Sequence, residues 1–298
     1  MEQAERAISL GFVERLRRTL DMIKFEHSIF AMPFALTGAL LAWRQNQFSS
    51  AGLGEKLLWI VVAMVGARSA AMTFNRIADA KIDAKNPRTA MRHLPSGQLS
   101  LGFAWGFLAA SAAAFFLAAA MLNELCLWLS PIALAVVLVY SYMKRFSSLA
   151  HLVLGFALGI APAAAWIAMR GSLDIRIGWL TFAVMFWTAG FDIIYACQDY
   201  EFDKREGLFS VPAKLGIARA LGLSRIFHFA TLVCLLILSA QFQLHWWPVL
   251  PVAGLLLYEH SLIRADDLSK VNIAFFTVNG FIGLGYFVSM AIEVFRNV

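Results

Sequence analysis

The chain has 298 residues, of which 60% are hydrophobic and only 15% are charged. Soluble domains contain about 45–50% apolar and about 25% charged residues, so this composition excludes an ordinary water-soluble globule and favours a lipid environment. The net charge of +6 does not indicate nucleic acid binding, because the basic residues lie in loops between apolar runs, a pattern typical of membrane orientation and anion binding.

Residues 1–22 carry apolar side chains at helical spacing among several arginines. Phe12, Leu16 and Leu20 recur every four residues, which predicts an amphipathic helix that lies on the membrane surface. We therefore expect residues 1–22 to form an interfacial segment and residues 23–298 to form a single transmembrane domain.

The rest of the chain contains nine apolar segments, each close to the ~20 residues that a helix needs to cross a bilayer. They cover residues 23–43, 57–78, 101–121, 125–143, 149–169, 177–197, 223–243, 246–263 and 274–293. Backbone polar groups must be paired inside lipid, and segments of this length pair them as helices. The sequence thus predicts an all-α membrane protein with nine transmembrane helices.

The basic residues indicate how these helices are oriented. If the N-terminus is cytoplasmic, 18 of the 25 Lys and Arg residues lie in cytoplasmic regions, five lie on the other side, and two lie within segment 57–78. Cytoplasmic loops carry an excess of Lys and Arg. We therefore expect a multi-pass protein of the inner (cytoplasmic) membrane, with its N-terminus in the cytoplasm.

A polar cluster opens the first long cytoplasmic loop. Asn75, Asp79 and Asp83 are spaced four residues apart, so they share one face if the helix continues through them. Carboxylates at a membrane edge are costly and repel one another. Something positive is therefore expected to lie against this face.

A second cluster occupies the equivalent loop four segments later. Asp199 and Asp203 follow Asp79 and Asp83 by 120 residues each, and Asp192 lies seven residues before Asp199. This offset predicts a weak parallel repeat whose two acidic loops lie on the same side of the membrane. Oxygen ligands without nearby His or Cys are typical of Mg²⁺, which binds one or two carboxylates together with phosphate oxygens of a substrate.

Basic side chains accompany both clusters. Arg88 and Arg92 follow the first cluster, Lys144 and Arg145 follow the fourth apolar segment, and Lys204 and Arg205 follow the second cluster. Such cations can bind a metal-bound diphosphate and stabilise the charge that develops as it leaves. The positive-inside rule alone also explains basic residues in these loops, so both interpretations stay open for each residue.

These motifs together resemble the UbiA superfamily of intramembrane prenyltransferases, over residues 23–290. The matching stretches are Asn-x-x-x-Asp-x-x-x-Asp from residue 75, Pro-Arg-Thr-Ala-x-Arg-x-Leu-Pro-Ser-Gly from residue 87, Tyr-Ser-Tyr-Met-Lys-Arg-Phe from residue 140, and Tyr-x-x-Gln-Asp-x-x-x-Asp from residue 195. The chain departs from the pattern at Arg76, where many members have Asp. This departure leaves the Asn75, Asp79 and Asp83 core intact.

The resemblance implies a bundle of nine helices around a central cavity that opens to the cytoplasmic side and laterally to lipid. It also implies that Mg²⁺ held by Asn75 and four aspartates binds a polyprenyl diphosphate. The residues implied as catalytic are Asp79, Asp83, Asp199, Asp203 and Arg145. The residues implied as diphosphate-binding are Asn75, Arg88, Arg92, Tyr140 and Lys144, with Asp192 and Tyr195 as possible additional site residues.

The acceptor stays open at this stage. The chain resembles the 4-hydroxybenzoate polyprenyltransferase group most, which implies transfer to an aromatic acid precursor of a respiratory quinone. Residues 23–33 also resemble the branch of the futalosine route to menaquinone, which prenylates a naphthoate-type acid. In another class, a cation-coupled transporter is an alternative, although its carboxylates would more often lie near the bilayer midplane. The expected partners are the two substrates and the lipid bilayer, without nucleic acid; the sequence does not predict a protein partner.

Overall fold

The structure is a computed structural model that describes residues 11–23 and 31–296. Within these residues the fold is all-helical, apart from an isolated bridge between Arg264 and Asp267. The α-helices are α1 Phe12–Met22, α2 Met32–Gln45, α3 Leu53–Asp83, α4 Leu101–Leu122, α5 Glu124–Met143, α6 Ala150–Arg170, α7 Gly178–Ala196, α8 Tyr200–Arg205, α9 Val211–Leu215, α10 Ile217–Gln241, α11 Val249–Leu262 and α12 Asn279–Arg296.

Seven helical stretches of the described chain are long and apolar enough to cross a membrane. Of the nine predicted spans, 246–263 is shorter than expected, because α11 has 14 residues. The predicted span 23–43 is described only at residue 23 and from residue 31 onward, where α2 also has 14 residues. At 1.5 Å per residue, 14 residues cover only about 21 Å of a hydrocarbon core about 30 Å thick. A proline begins each region, with Pro33 in the first turn of α2 and Pro248 directly before α11, and residues 24–30 lie outside the described chain.

The N-terminal prediction is tested only from residue 11 onward, since residues 1–10 lie outside the described chain. Phe12 and Val13 on α1 are exposed, whereas Met22 and Ile23 are buried against Leu99. The short helix is therefore anchored at its C-terminal end, and its exposed residues include Arg17 and Asp21 as well as Phe12 and Val13. Its place on the membrane surface stays a prediction.

Close helix contacts depend on small residues. Gly155 and Gly159 lie one turn apart on α6, and α7 passes directly over them. A Cβ at Gly159 would lie 2.6 Å from the Thr181 carbonyl oxygen, and one at Gly155 would clash with the Met185 carbonyl. Small residues at this spacing let two membrane helices approach closely, and this contact fixes the position of α7 and its acidic C-terminal end.

A π-helix at Ile273–Val278 precedes α12 and is stabilised by one buried side chain. Asn279 Nδ2 donates to the carbonyl oxygens of Ala274 and Phe275, at 3.0 and 3.3 Å, and to Glu259 Oε1 at 3.0 Å. Its Oδ1 accepts from Trp187 Nε1 at 2.7 Å. Asn279 therefore pairs the backbone of the π-helix while it links α7, α11 and α12.

Candidate active site

A cavity of about 1110 Å³ occupies the centre of the bundle. Its wall follows α6 from Ala150 to Ala168, a distance of about 27 Å at 1.5 Å per residue. Much of the wall is apolar, with several alanines of α6 that leave space beside them. All twelve predicted site residues line this cavity: Asn75, Asp79, Asp83, Arg88, Arg92, Tyr140, Lys144, Arg145, Asp192, Tyr195, Asp199 and Asp203.

Asp79 lies within α3, which continues unbroken through the first acidic cluster to Asp83. Asn75 Nδ2 donates to Asp79 Oδ2 at 3.0 Å, as the four-residue spacing predicts. Arg145 Nη2 donates to Asp79 Oδ1 at 3.0 Å and to the Ala78 carbonyl oxygen at 2.6 Å. The side chain of Arg145 therefore joins the end of α5 to the first cluster.

Asp83 is the last residue of α3 and is 7% exposed. Arg92 Nη1 lies 2.8 Å from its Oδ1 and 2.7 Å from its Oδ2. Thr89 Oγ1 donates to the Asp83 carbonyl oxygen at 3.0 Å, so the loop after α3 folds back over the end of its own helix.

The same loop also binds the second cluster. Arg88 holds Asp199 with two nitrogens, Nε to Oδ1 at 2.9 Å and Nη2 to Oδ2 at 2.5 Å, and Asn86 Nδ2 donates to Oδ1 at 3.0 Å. Arg88 Nη1 donates to the Tyr195 hydroxyl at 3.0 Å. Burial alone would lower the pKa of Arg88, but the Asp199 carboxylate raises it above its ordinary value. A fully charged guanidinium from the loop after the first cluster therefore holds the second cluster.

Asp203 is 1% exposed and faces Lys144, whose Nζ lies 3.4 Å from its Oδ2. Burial would lower the pKa of Lys144, but attraction to Asp203 and to the other aspartates of this cluster raises it. The lysine backbone is also tied to this region, because its carbonyl oxygen accepts from Phe209 N at 2.7 Å. Lys144 therefore stays protonated beside the second cluster.

Asp192 lies deeper in the cavity and pairs with a histidine that the sequence did not single out. His151 Nδ1 lies 2.6 Å from Asp192 Oδ2, and His151 Nε2 accepts from Val211 N at 3.2 Å. Because Nε2 is occupied as an acceptor, the ring proton resides on Nδ1 and is donated to Asp192. His151 is 1% exposed, so it orients Asp192 from behind the cavity wall.

Aromatic rings from the π-helix complete this end of the cavity. The Phe275 ring lies 4.2 Å from the Tyr195 ring and 5.2 Å from the Phe191 ring, measured between centroids. Phe276 contacts Tyr195 at 6.1 Å, and Arg88 lies 5.2 Å above the same ring. Aromatic faces therefore adjoin the charged cluster at the point where it meets the apolar cavity.

Comparison with known proteins assigns this arrangement to a family. The model of the UbiA prenyltransferase family matches residues 31–282. The chain belongs to the UbiA prenyltransferase family. It is 31% identical to a 4-hydroxybenzoate octaprenyltransferase of Photobacterium profundum, over 80% of this chain and 83% of that one.

Solved structures agree with this assignment. A UbiA homolog from Aeropyrum pernix K1 superposes with a TM-score of 0.80 at 34% identity, covering 90% of this chain and 98% of that one. A UbiA homolog from Archaeoglobus fulgidus, bound to DMAPP and Mg²⁺, shares the fold with a TM-score of 0.67 at 18% identity, over 93% of this chain and 99% of that one. The protein is therefore a multi-pass membrane protein with the UbiA fold.

The predicted Mg²⁺ ligands fit the metal by their chemistry. Asn75 and the four aspartates of the two clusters offer only oxygen donors, as Mg²⁺ prefers. Within the described residues, no three acidic, His or Cys side chains converge on one point. Each of these carboxylates is instead paired with a basic side chain: Asp79 with Arg145, Asp83 with Arg92, Asp199 with Arg88 and Asp203 with Lys144.

The remaining predicted residues of this UbiA family member have defined places. Tyr140 lines the cavity and makes no hydrogen bond to another described residue. Lys204 and Arg205, which also follow the second cluster, do not line the cavity: Lys204 lies over the Tyr200 ring and Arg205 lies near Glu206. Sequence reasoning missed Asn86 and His151 as partners of the acids, although Asn86 directly precedes the recognised stretch that contains Arg88.

Proposed function

We propose that this protein transfers a polyprenyl group from a polyprenyl diphosphate to 4-hydroxybenzoate and releases diphosphate. The observation that carries the proposal is a single cavity with carboxylates and cations at one end and a long apolar wall beyond them. The name of the Photobacterium profundum relative supports the acceptor. The apolar part accommodates the prenyl chain, and the charged part accommodates the diphosphate.

The charged end of the cavity can stabilise the diphosphate as it leaves. Mg²⁺, when bound by Asn75 and the four aspartates of the two clusters, supplies positive charge that stabilises the leaving group. The cations Arg88, Arg92, Lys144 and Arg145 add donors for the phosphate oxygens. As the bond between the prenyl carbon and the diphosphate oxygen breaks, the electron pair leaves with the diphosphate and an allylic cation remains.

The second half of the reaction requires a dry and aromatic environment. The allylic cation bonds to an electron-rich ring carbon of the acceptor, which then loses its proton. The faces of Tyr195 and Phe275 lie beside the charged cluster and stabilise positive charge on the prenyl carbon. The apolar wall excludes water, which would otherwise capture the cation.

The same proposal includes the setting of the enzyme. The basic residues support an inner membrane location with the N-terminus and the charged end of the cavity on the cytoplasmic side. A prenyl chain is itself a lipid, so a lateral opening of the cavity to the bilayer follows. Among the exposed residues that line the cavity, Ile132 on α5 and Phe156 on α6 are the candidates for the edge of that opening.

Purified protein in detergent tests the reaction and the acceptor together. Geranyl diphosphate is incubated with 4-hydroxybenzoate or with the naphthoate-type acid, in Mg²⁺ or in EDTA, and products are identified by mass. We expect prenylated 4-hydroxybenzoate in Mg²⁺ only. Prenylation of the naphthoate-type acid alone would assign the menaquinone branch instead. Absence of product with both acids would contradict the proposed function, and transport of a cation without prenyl transfer would support the transporter alternative.

A further inference from the structure

Arg76 is a cavity residue that the described mechanism does not use. It lies on α3 three residues before Asp79 and seven before Asp83, and it lines the same cavity. At 100° per residue, these three side chains project from neighbouring positions on one helix face. This is also the position at which the chain departs from the family motif, with Arg in place of the Asp that many members have.

The charges of the site leave Arg76 without a counterion. Each carboxylate of the site has its own basic partner, in the pairs Asp79 with Arg145, Asp83 with Arg92, Asp199 with Arg88, Asp203 with Lys144 and Asp192 with His151. Within residues 11–23 and 31–296, no acid lies within ion-pair distance of Arg76. A guanidinium is always charged, and a charge in a membrane domain pairs with an opposite charge or with backbone carbonyls, so Arg76 has capacity left for an anion.

The hydrogen bonds of Arg76 point to the same conclusion. Its Nε donates to the Met22 carbonyl oxygen at 3.3 Å, and its two terminal nitrogens find no acceptor among the described residues. Arg76 therefore presents up to four N–H groups to the cavity from a half-buried position.

If Arg76 had only a structural role, it would use only its Nε, which donates to the Met22 carbonyl oxygen. Met22 is the last residue of α1, and a cation beside the final carbonyl of a helix stabilises that helix end. Arg44 provides a matched example on the opposite side of the molecule, where its Nη1 donates to the carbonyl oxygen of Phe242 at the end of α10 at 2.9 Å. Arg44 does not line the cavity, so the two arginines separate a helix-end role from ligand binding.

We propose that Arg76 binds an anionic oxygen of the substrate, either a phosphate oxygen of the prenyl diphosphate or the carboxylate of the aromatic acid. This inference rests on the proposed function and assigns one further substrate-binding residue to it. Both ligands present paired oxygens that match the planar fork of a guanidinium. At this position of the cavity wall, many family members thus have an Asp that can bind a cation, whereas this chain has an Arg that can bind an anion.

Arg76→Gln tests the inference, with Arg44→Gln as the control. Binding of geranyl S-thiolodiphosphate, an unreactive donor analogue, is measured by calorimetry in Mg²⁺, and KM for 4-hydroxybenzoate is measured in turnover. We expect Arg76→Gln to weaken one of the two by about tenfold or more. A change in the analogue Kd identifies the diphosphate as the ligand, and a change in the acceptor KM alone identifies the carboxylate. Arg44→Gln should change neither.

One outcome would contradict the role of Arg76, and another would contradict the proposed function. If wild-type protein binds the analogue and transfers prenyl groups, but Arg76→Gln stays within twofold for both ligands, Arg76 is only a helix-end residue. If the wild-type protein binds and transfers nothing, the proposed function itself is wrong. Should Arg76→Gln fail to fold, Arg76→Lys replaces it, since lysine keeps the charge but loses the fork; unchanged affinities in that variant would also overturn the inference.

Discussion

A single nitrogen of Arg92, Nη1, lies within 2.8 Å of both carboxylate oxygens of Asp83. This contact holds the last side chain of α3 at the edge of the cavity, where only 7% of the residue is exposed. The loop that provides Arg92 also provides Arg88, which binds Asp199 on the other side of the cavity. One loop therefore orients Asp83 and Asp199, and we expect these two acids to act as a unit.

Removal of either acid should accordingly have nearly the full effect of removing both. We predict that Asp83→Ala and Asp199→Ala each reduce prenyl transfer close to background and that the double variant adds little, because residues that act as a unit are not additive. The measurement is product formation over a Mg²⁺ titration. Asp174→Ala is the control, since Asp174 forms an ion pair with Arg176 at 2.6 Å but does not line the cavity. Near-normal Mg²⁺-dependent turnover in either single variant would contradict a shared site.

Arg145 should require its planar fork as well as its charge. It bonds both Asp79 and the Ala78 carbonyl oxygen, and lysine offers a compact point charge instead. Loss of one charge-assisted hydrogen bond costs about 1.5–3 kcal/mol, so Arg145→Lys should lower kcat/KM by about tenfold or more. Lys144→Arg should act in the same direction. Arg44→Lys, on the opposite face, should have no effect on activity, and equal behaviour of Arg145→Lys and Arg44→Lys would make Arg145 an orientation residue.

The predicted topology can be tested with cysteines at exposed positions. Met91 lies in the loop after α3, Leu215 lies on α9, and Ile175, which is 90% exposed, lies between α6 and α7. With a cytoplasmic N-terminus, a membrane-impermeant maleimide on intact cells should label Ile175→Cys but neither Met91→Cys nor Leu215→Cys. The three native cysteines are buried or partly buried and are replaced beforehand. The reverse labelling pattern would invert the topology.

Substitution of Asn279 should lower the stability of the protein strongly. Asn279→Leu leaves the Trp187 indole N–H and a Glu259 oxygen without their partner, and each buried group left unpaired costs about 1–3 kcal/mol. It also releases the π-helix that positions Phe275, so both melting temperature and turnover should fall. Asn46→Leu is the control: Asn46 accepts from Arg170 at 2.6 Å in an exposed position, where water can replace the bond. Similar losses in both variants would argue against a special role for Asn279.

The sequence alone predicted an all-helical fold and the polar residues that line the cavity. Helical spacing placed Asn75, Asp79 and Asp83 on one face of α3, and the structure bears this out because the helix continues to Asp83. The periodicity of a helix is local, so it can be read from neighbouring residues. The length of α11 was less predictable, because apolar residues precede Pro248, the residue directly before this helix.

The tertiary structure decided which groups are paired. Arg88 follows the first cluster in the chain but binds Asp199, 111 residues away, while Asp192 is held by His151, 41 residues away, and Asn279 accepts from Trp187, 92 residues away. None of these partners shares a repeat or a spacing with the group it binds. They meet because the packing of helices on one another, as of α6 on α7 through Gly155 and Gly159, sets which side chains from distant parts of the chain face one another. Spacing along a single helix carries no information about that arrangement.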